Sequence, residues 1–351
     1  MGDLVIYGSY GYTGSLIAEA AVERGLDPIL AGRERRTLES QAARLGCDAA
    51  VASLEEPKIL DMVLDDATAV LNCAGPFERT WEPMVEACLR NGTHYLDITG
   101  ELTVFEAIHG HSDRAEDAAV MLLPGVGFDV VPTDCLAAHL AQRVPDADRL
   151  ELAIRAENGV SRGTLKTVIA QLDGGGAVRR DGVLESVPPA HETRTVDFGW
   201  GHQETHVAAI PWGDVATAYY TTGIPNVTTY MAMPTAAVRV QRAAGLVAPL
   251  LGLPGVRPGL QWLVERTVDG PDAEARTTGE SYVWGEASGD GERAVARLRG
   301  PQTYALTAET ALATARRVLD GDAPTGFQTP AGAYGPDLIL DVEGVEREDV
   351  V

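Results

Sequence analysis

At 351 residues, 45% of them hydrophobic, the chain can bury a substantial core and is long enough for two domains, which sets it apart from disordered sequences. Twenty-eight basic residues against 51 acids leave a net charge of −23, which repels a phosphate backbone rather than neutralising it and argues against nucleic-acid binding. No apolar stretch reaches the ~18 residues that a membrane-spanning helix needs.

Met1-Gly2-Asp3 runs into a strand pattern with no basic leader, so a cytoplasmic protein is expected. The acids are spread along the chain and Lys58 and Lys166 are its only lysines, the pattern of a solvated acidic surface in a salt-rich, halophilic cytoplasm where screening removes self-repulsion. Cys47, Cys73, Cys88 and Cys135 have no CxxC spacing and read as reduced thiols.

The first 125 residues alternate short apolar runs with helical patterns. Leu4-Val5-Ile6-Tyr7 reads as a buried strand, and Gly14 opens an amphipathic stretch with Leu16, Ile17, Ala20 and Ala21 on one face. Further strands are expected at Pro28–Ala31, Ala69–Asn72, Tyr95–Ile98 and Val120–Leu123. That rhythm predicts right-handed βαβ units and a doubly wound parallel sheet of the Rossmann type.

The turn after the first strand is Gly8-Ser9-Tyr10-Gly11-Tyr12-Thr13-Gly14, with glycines three apart. Such a turn brings backbone amides to a pyrophosphate at a helix N-terminus, where the dipole and unpaired N–H groups favour negative charge. NAD sites usually carry an acid about 20 residues further on, at the tip of the second strand, for the ribose 2′-hydroxyl. Here the tip is Ala31-Gly32-Arg33, and a guanidinium suits a 2′-phosphate, so NADP is expected as cofactor in preference to NAD. The fourth strand (69–72) ends in Asn72-Cys73-Ala74-Gly75-Pro76-Phe77, a loop placed to line the cofactor.

These motifs, with Gly92–Glu101, the run Pro124-Gly125-Val126-Gly127-Phe128-Asp129 continuing to Asp134, Ser161-Arg162-Gly163-Thr164 and Thr329-Pro330-Ala331, resemble the saccharopine dehydrogenase-like oxidoreductases, in particular the branch with the trans-acting enoyl reductases of lipid synthesis. The resemblance is thin between about 175 and 320. It implies a nucleotide-binding fold, a second α/β domain whose sheet covers an active-site cleft, and a C-terminal segment returning to the first domain. It also implies Gly8, Gly11, Tyr12, Thr13 and Gly14 on the pyrophosphate, Arg33 near the adenosine ribose and Asn72–Phe77 beside the nicotinamide ribose. Charged substrate-binding positions of true saccharopine enzymes have no counterpart here.

Other chemistries are excluded by residue pattern. The Tyr-x-x-x-Lys pair of short-chain reductases is absent, because Leu54 and Arg162 stand four before the lysines. Neither lysine follows glycine, so there is no phosphate-binding P-loop. His202 and His206 are four apart, but their Gly- and Trp-rich flanks read as strand and turn, and Gln203 stands where a zinc protease carries Glu; no metal is expected. Candidates for proton chemistry are Asp129, after the Gly125–Phe128 turn, Glu101, after the fifth strand, and Tyr95, which shares a strand face with Asp97; N-capping and helix-dipole roles for the two acids stay open beside it.

Beyond residue 126 the grain changes. Strands are expected at 150–154, 193–198, 205–209, 281–284 and 294–298, with helical runs from Gly163 through Leu172 and from Thr307 to Leu319. The expected organisation is a nucleotide domain over 1–125, rejoined by 326–351, and a mixed-sheet α/β substrate and dimerisation domain over 126–325. Residues 243–256 carry no charge, which fits a broken core helix pair, an apolar cover over substrate, a subunit interface or a peripheral membrane contact. The function these features support is NADP-dependent reduction of a C=C or C=O/C=N bond in a hydrophobic metabolite such as a lipid or isoprenoid, by a homodimer; an amino-acid-type imine dehydrogenase and a non-catalytic NADP-binding protein are the rivals.

Overall fold

The computed structural model describes residues 4–157, 175–202, 204–239, 242 and 279–351. They form two compact units, one from residues 1–131 and 304–335 and the other from 132–303 and 336–351.

The first unit follows the βαβ rhythm: β1 (Leu4–Tyr7), α1 (Tyr12–Glu23), β2 (Ile29–Gly32), α2 (Arg35–Leu45), β3 (Ala49–Val51), α3 (Pro57–Leu64), β4 (Ala69–Asn72), α4 (Trp81–Asn91), β5 (His94–Asp97), α5 (Leu102–His109), α6 (Ser112–Asp117) and β6 (Met121–Leu123). Leu4 and Ile6 face one side of β1 and Val5 and Tyr7 the other, and all four are buried because helices cover both faces.

The second unit begins with α7 (Val131–Arg143), β7 (Arg149–Ala156), β8 (Gly176–Arg180), β9 (Val183–Val187), β10 (Thr193–Val196), β11 (Thr205–Ala209), α8 (Asp214–Thr222), β12 (Asn226–Ala232), β13 (Glu280–Gly289) and β14 (Glu292–Pro301). The chain then gives α9 (Thr303–Leu319), β15 (Gly326–Phe327) and α10 (Pro330–Tyr334) to the first unit and β16 (Glu346–Asp349) to the second.

The first sheet is parallel throughout, in the order β15-β6-β5-β4-β1-β2-β3. The second is mixed: β10-β11-β12-β7-β13-β14-β16, with the β8–β9 hairpin attached to β12 and β7 and β12 running parallel. The α/β architecture read from sequence is the architecture observed, and every strand expected in the second unit is present. The helical run at 163–172, Arg162 and the charge-free 243–256 lie outside the described residues.

The C-terminal third divides differently from the sequence expectation. Helix α9 belongs to the first unit, where Ala308, Ala311, Leu312, Ala315 and Val318 pack with Ile6, Ile17 and Leu96. Only 304–335 joins that unit, whereas 336–351 goes with the second sheet. There Glu346 and Glu348 of β16 stand opposite Arg299 and Arg297 of β14, so charge pairing across the ladder favours that edge.

Because α9 closes one face of the nucleotide sheet, Leu312→Ala should destabilise the first unit by about 2–5 kcal/mol in chemical denaturation. Met62→Ser, at a 79% exposed position, should stay within about 0.5 kcal/mol of wild type.

Candidate active site

Strand order in the first sheet reverses between β1 and β4, and doubly wound sheets take their ligands in the crevice beyond the strand ends at such a point. The loops leaving these two strands touch. Gly8 has a φ of +76°, and a Cβ on it would stand 2.9 Å from Ala74 in the β4 loop, so only glycine allows this approach. A Cβ on Gly14 would drive into the Gly8 carbonyl oxygen, and the turn is closed by Gly11 N–H donating to that oxygen at 3.0 Å. Helix α1 starts at Tyr12 with no side-chain cap and no acid in its first turn. The turn is thus closely packed backbone leading into an uncapped helix end, whose free amides and positive dipole end suit a dinucleotide pyrophosphate.

Polar groups hold the β4 loop from beneath. Asn72 Oδ1 accepts the Ala74 N–H at 3.0 Å, and its amide nitrogen donates to Thr80 Oγ1 and, at 3.5 Å, to the Tyr95 hydroxyl. Thr80 Oγ1 donates to the Ala74 carbonyl at 2.7 Å. The two oxygens of Glu101 accept the Phe77 and Glu78 N–H groups at 3.0 and 2.8 Å. Gly75 is exposed, and Pro76 and Phe77 are half-buried. Cys73 Sγ turns toward the Leu71 carbonyl, and burial pushes its thiol pKa up, so it is held as a neutral thiol.

Asp97 is the hub beneath the neighbouring loops. It accepts from the Tyr95 hydroxyl at 2.7 Å, from Thr99 N–H at 2.9 Å and from Gly125 N–H at 2.8 Å, and burial raises its pKa to about 6 against the pull of those donors. Helix α9 secures the turn after β6, where Thr307 Oγ1 accepts the Phe128 N–H and Thr310 Oγ1 donates to the Val126 carbonyl. Thr80, Gln41, Thr307 and Thr310 were not singled out from sequence; the two threonines, three apart among alanines, are the one local signal.

The candidate residues separate by position. Tyr95 is fully buried with its hydroxyl engaged by Asp97, so it lies under the loop instead of on a surface that substrate can reach. Ser9, expected on the cofactor, is also fully buried: its hydroxyl donates to Gln41 Oε1, and Gln41 Nε2 donates to the Ser9 carbonyl, which ties the glycine turn to α2. Tyr12 and Thr13 are half-buried at the start of α1, where the Tyr12 ring meets Tyr304 edge-on. Arg33 is exposed at the tip of β2 and has a loose 3.8 Å ion pair with Glu34. Tyr10 lies against that same tip and not along the pyrophosphate turn. Asp129 is largely buried, its carboxyl against Gly100, where a Cβ would come within 3.0 Å; burial lifts its pKa to about 7, as it does for Glu101. His202 packs edge-on against Tyr282 and His206 sits in β11 opposite Thr195.

Residues 4–123 match the family model described as the saccharopine dehydrogenase NADP binding domain, which supports NADP binding by this part of the chain. The chain is 32% identical over 151 residues to the saccharopine dehydrogenase-like oxidoreductase of Homo sapiens, covering 37% of this chain and 35% of that protein. It is 37% identical over 150 residues to the trans-acting enoyl reductase of Mycobacterium leprae (strain TN), covering 40% and 36%. The chain thus spans about a third of the length of the curated relatives it matches. Apo saccharopine dehydrogenase (L-Glu forming) from Saccharomyces cerevisiae shares the fold over 99% of both chains, with a TM-score of 0.66 at 13% identity.

Gly14→Ala, whose methyl has backbone in its way, should weaken NADPH binding by at least about tenfold in calorimetry with the circular dichroism spectrum unchanged. Glu101 gives a pH signature. Its folded pKa, about 7, lies above the ordinary 4.5, so the native state keeps this proton longer, and the associated stability is full below about 4.5 and lost as pH rises through 7. Wild type should therefore lose more thermal stability between pH 5 and 8 than Glu101→Gln; equal losses would remove Glu101 as the cause.

Proposed function

We propose that this protein is an NADP-dependent oxidoreductase that reduces a C=C or a C=O/C=N bond of a hydrophobic substrate, with an enoyl group on a lipid or isoprenoid chain as the substrate class. The observation that carries the reading is the switch point, where the Gly8–Gly14 turn and the Asn72–Phe77 loop meet without an intervening side chain above an uncapped helix. Gly8, Gly11, Tyr12, Thr13 and Gly14 hold the pyrophosphate, Arg33 the 2′-phosphate, and Ala74 to Phe77 flank the nicotinamide ribose. NADPH bound there supplies a hydride.

The chain itself must hold the substrate and handle a proton. Asp129 is the donor on this reading. It follows β6 in the turn beside the loop after β5 and is less completely buried than Tyr95 and Glu101, which support the loop. With a pKa of about 7 it is protonated in a good fraction of molecules at neutral pH and regains its proton readily.

Support for an apolar substrate comes from the relative named trans-acting enoyl reductase and from the uncharged residues 243–256 in a chain of net charge −23. The imine reading rests on the yeast saccharopine dehydrogenase, which shares the fold alone.

NADPH oxidation against matched long-chain enoyl, ketone and amino-acid imine acceptors distinguishes these outcomes: turnover of the apolar acceptors supports the reading, turnover confined to amino-acid imines replaces its substrate class, and oxidation with none removes it. With the active acceptor, Asp129→Asn should lower kcat by about 100-fold or more and leave the NADPH dissociation constant within a factor of two or so. A parallel loss of NADPH binding would make Asp129 part of the fold.

A further inference from the structure

Tyr10 belongs to the glycine turn by sequence but not by position. Its ring lies on the end of β2: a Cβ placed on Gly32, the last residue of that strand, would come within 2.5 Å of Tyr10 Cε1 and 3.3 Å of its hydroxyl oxygen. The hydroxyl accepts the Glu34 backbone N–H at 3.1 Å. The phenol therefore bridges the turn after β1 and the turn after β2, the latter of which also carries the exposed Arg33.

We propose that the Tyr10 hydroxyl is a second ligand of the 2′-phosphate and, with Gly32, selects NADP over NAD. The inference rests on the NADP reading of the first unit and adds to Arg33 a residue of the glycine turn.

Two physical arguments carry it. A phenol has one proton to give and lone pairs to receive. Here a lone pair takes the Glu34 N–H, and among the described residues the phenol's own proton has no acceptor, so that proton can be donated to an anion. A neutral hydroxyl and a guanidinium together satisfy a phosphate that carries several acceptor oxygens. The second argument is steric. NAD sites place a carboxylate at the end of the second strand to bind the ribose 2′-hydroxyl. The Tyr10 ring fills the space that a side chain at position 32 would need, so an acid there would have to displace the ring, and the next residue is an arginine. The ring thus excludes the group that would favour NAD while its oxygen serves the group that marks NADP.

The acid at position 34 does not undo this. Glu34 is the residue before α2 and is exposed; its backbone is held by Tyr10 and its carboxylate is drawn loosely toward Arg33. Arg35 pairs with Glu39 along α2.

The test is calorimetric binding of NADPH, NADH, adenosine 2′,5′-bisphosphate and AMP to the full chain as wild type, Tyr10→Phe and Arg33→Ala. Tyr10→Phe removes one oxygen and keeps the ring over Gly32. A hydrogen bond to a charged group at this level corresponds to about a tenfold loss in affinity for NADPH and for the bisphosphate, with NADH and AMP unchanged. Arg33→Ala should lose at least as much for the same two ligands. If Tyr10→Phe binds all four as wild type does, or loses NADPH and NADH in parallel, the hydroxyl is not a phosphate ligand and the proposal falls, while the NADP reading stands on Arg33→Ala. If wild type itself does not distinguish the bisphosphate from AMP, the NADP reading falls first and takes the proposal with it.

Discussion

The approach of two backbone loops at the reversal of strand order is the constraint on which the candidate site depends. Parallel strands β1 and β4 are neighbours, and the chain leaving each must turn away without filling the gap between them. Gly8 and Gly14 make that possible, since a methyl group on either would meet backbone. The close approach of the two loops is therefore a property of the backbone, and the start of α1 beside it carries no side-chain cap.

A backbone-lined site needs its loops held from behind. Buried polar groups do so here: Asn72 and Glu101 accept or donate to the β4 loop, Asp97 ties β5 to the turn after β6, and Ser9 with Gln41 fixes the glycine turn to α2. A partly satisfied network of this kind would be costly, whereas a satisfied one fixes a single arrangement. The same burial that makes these groups supports keeps Asp97 and Glu101 close to neutrality, so their charge state, and with it the firmness of the loops, follows pH in the physiological range.

Much of the first unit was legible because buried parallel strands read as short apolar runs and glycines at three-residue spacing mark a phosphate turn. The glycine turn follows β1, Arg33 follows β2 and the Asn72–Phe77 loop leaves β4, in line with the strand pattern. The destination of α9 was not legible: its alanine- and leucine-rich face would fit either sheet, and nothing local to Thr303–Leu319 names the partner. Nor does an alternation of charges at 346–349 reveal which strand edge it will pair with until Arg297 and Arg299 are seen opposite. Tyr10, Ser9 and Tyr95 show the same limit at the site. Motif spacing gives a residue's place on the chain, but the side chain's direction depends on a neighbour distant in sequence: Gly32 for Tyr10, Gln41 for Ser9 and Asn72 for Tyr95.

A crystal structure of the protein with NADPH bound tests the central claim most directly. The account predicts the pyrophosphate oxygens within about 3 Å of backbone N–H groups in the first turn of α1, with the nicotinamide ring on the β4–β6 side of the strand ends. A nucleotide bound elsewhere, or a Gly8–Gly14 turn that folds over its own amides and leaves the phosphates in solvent, would contradict it.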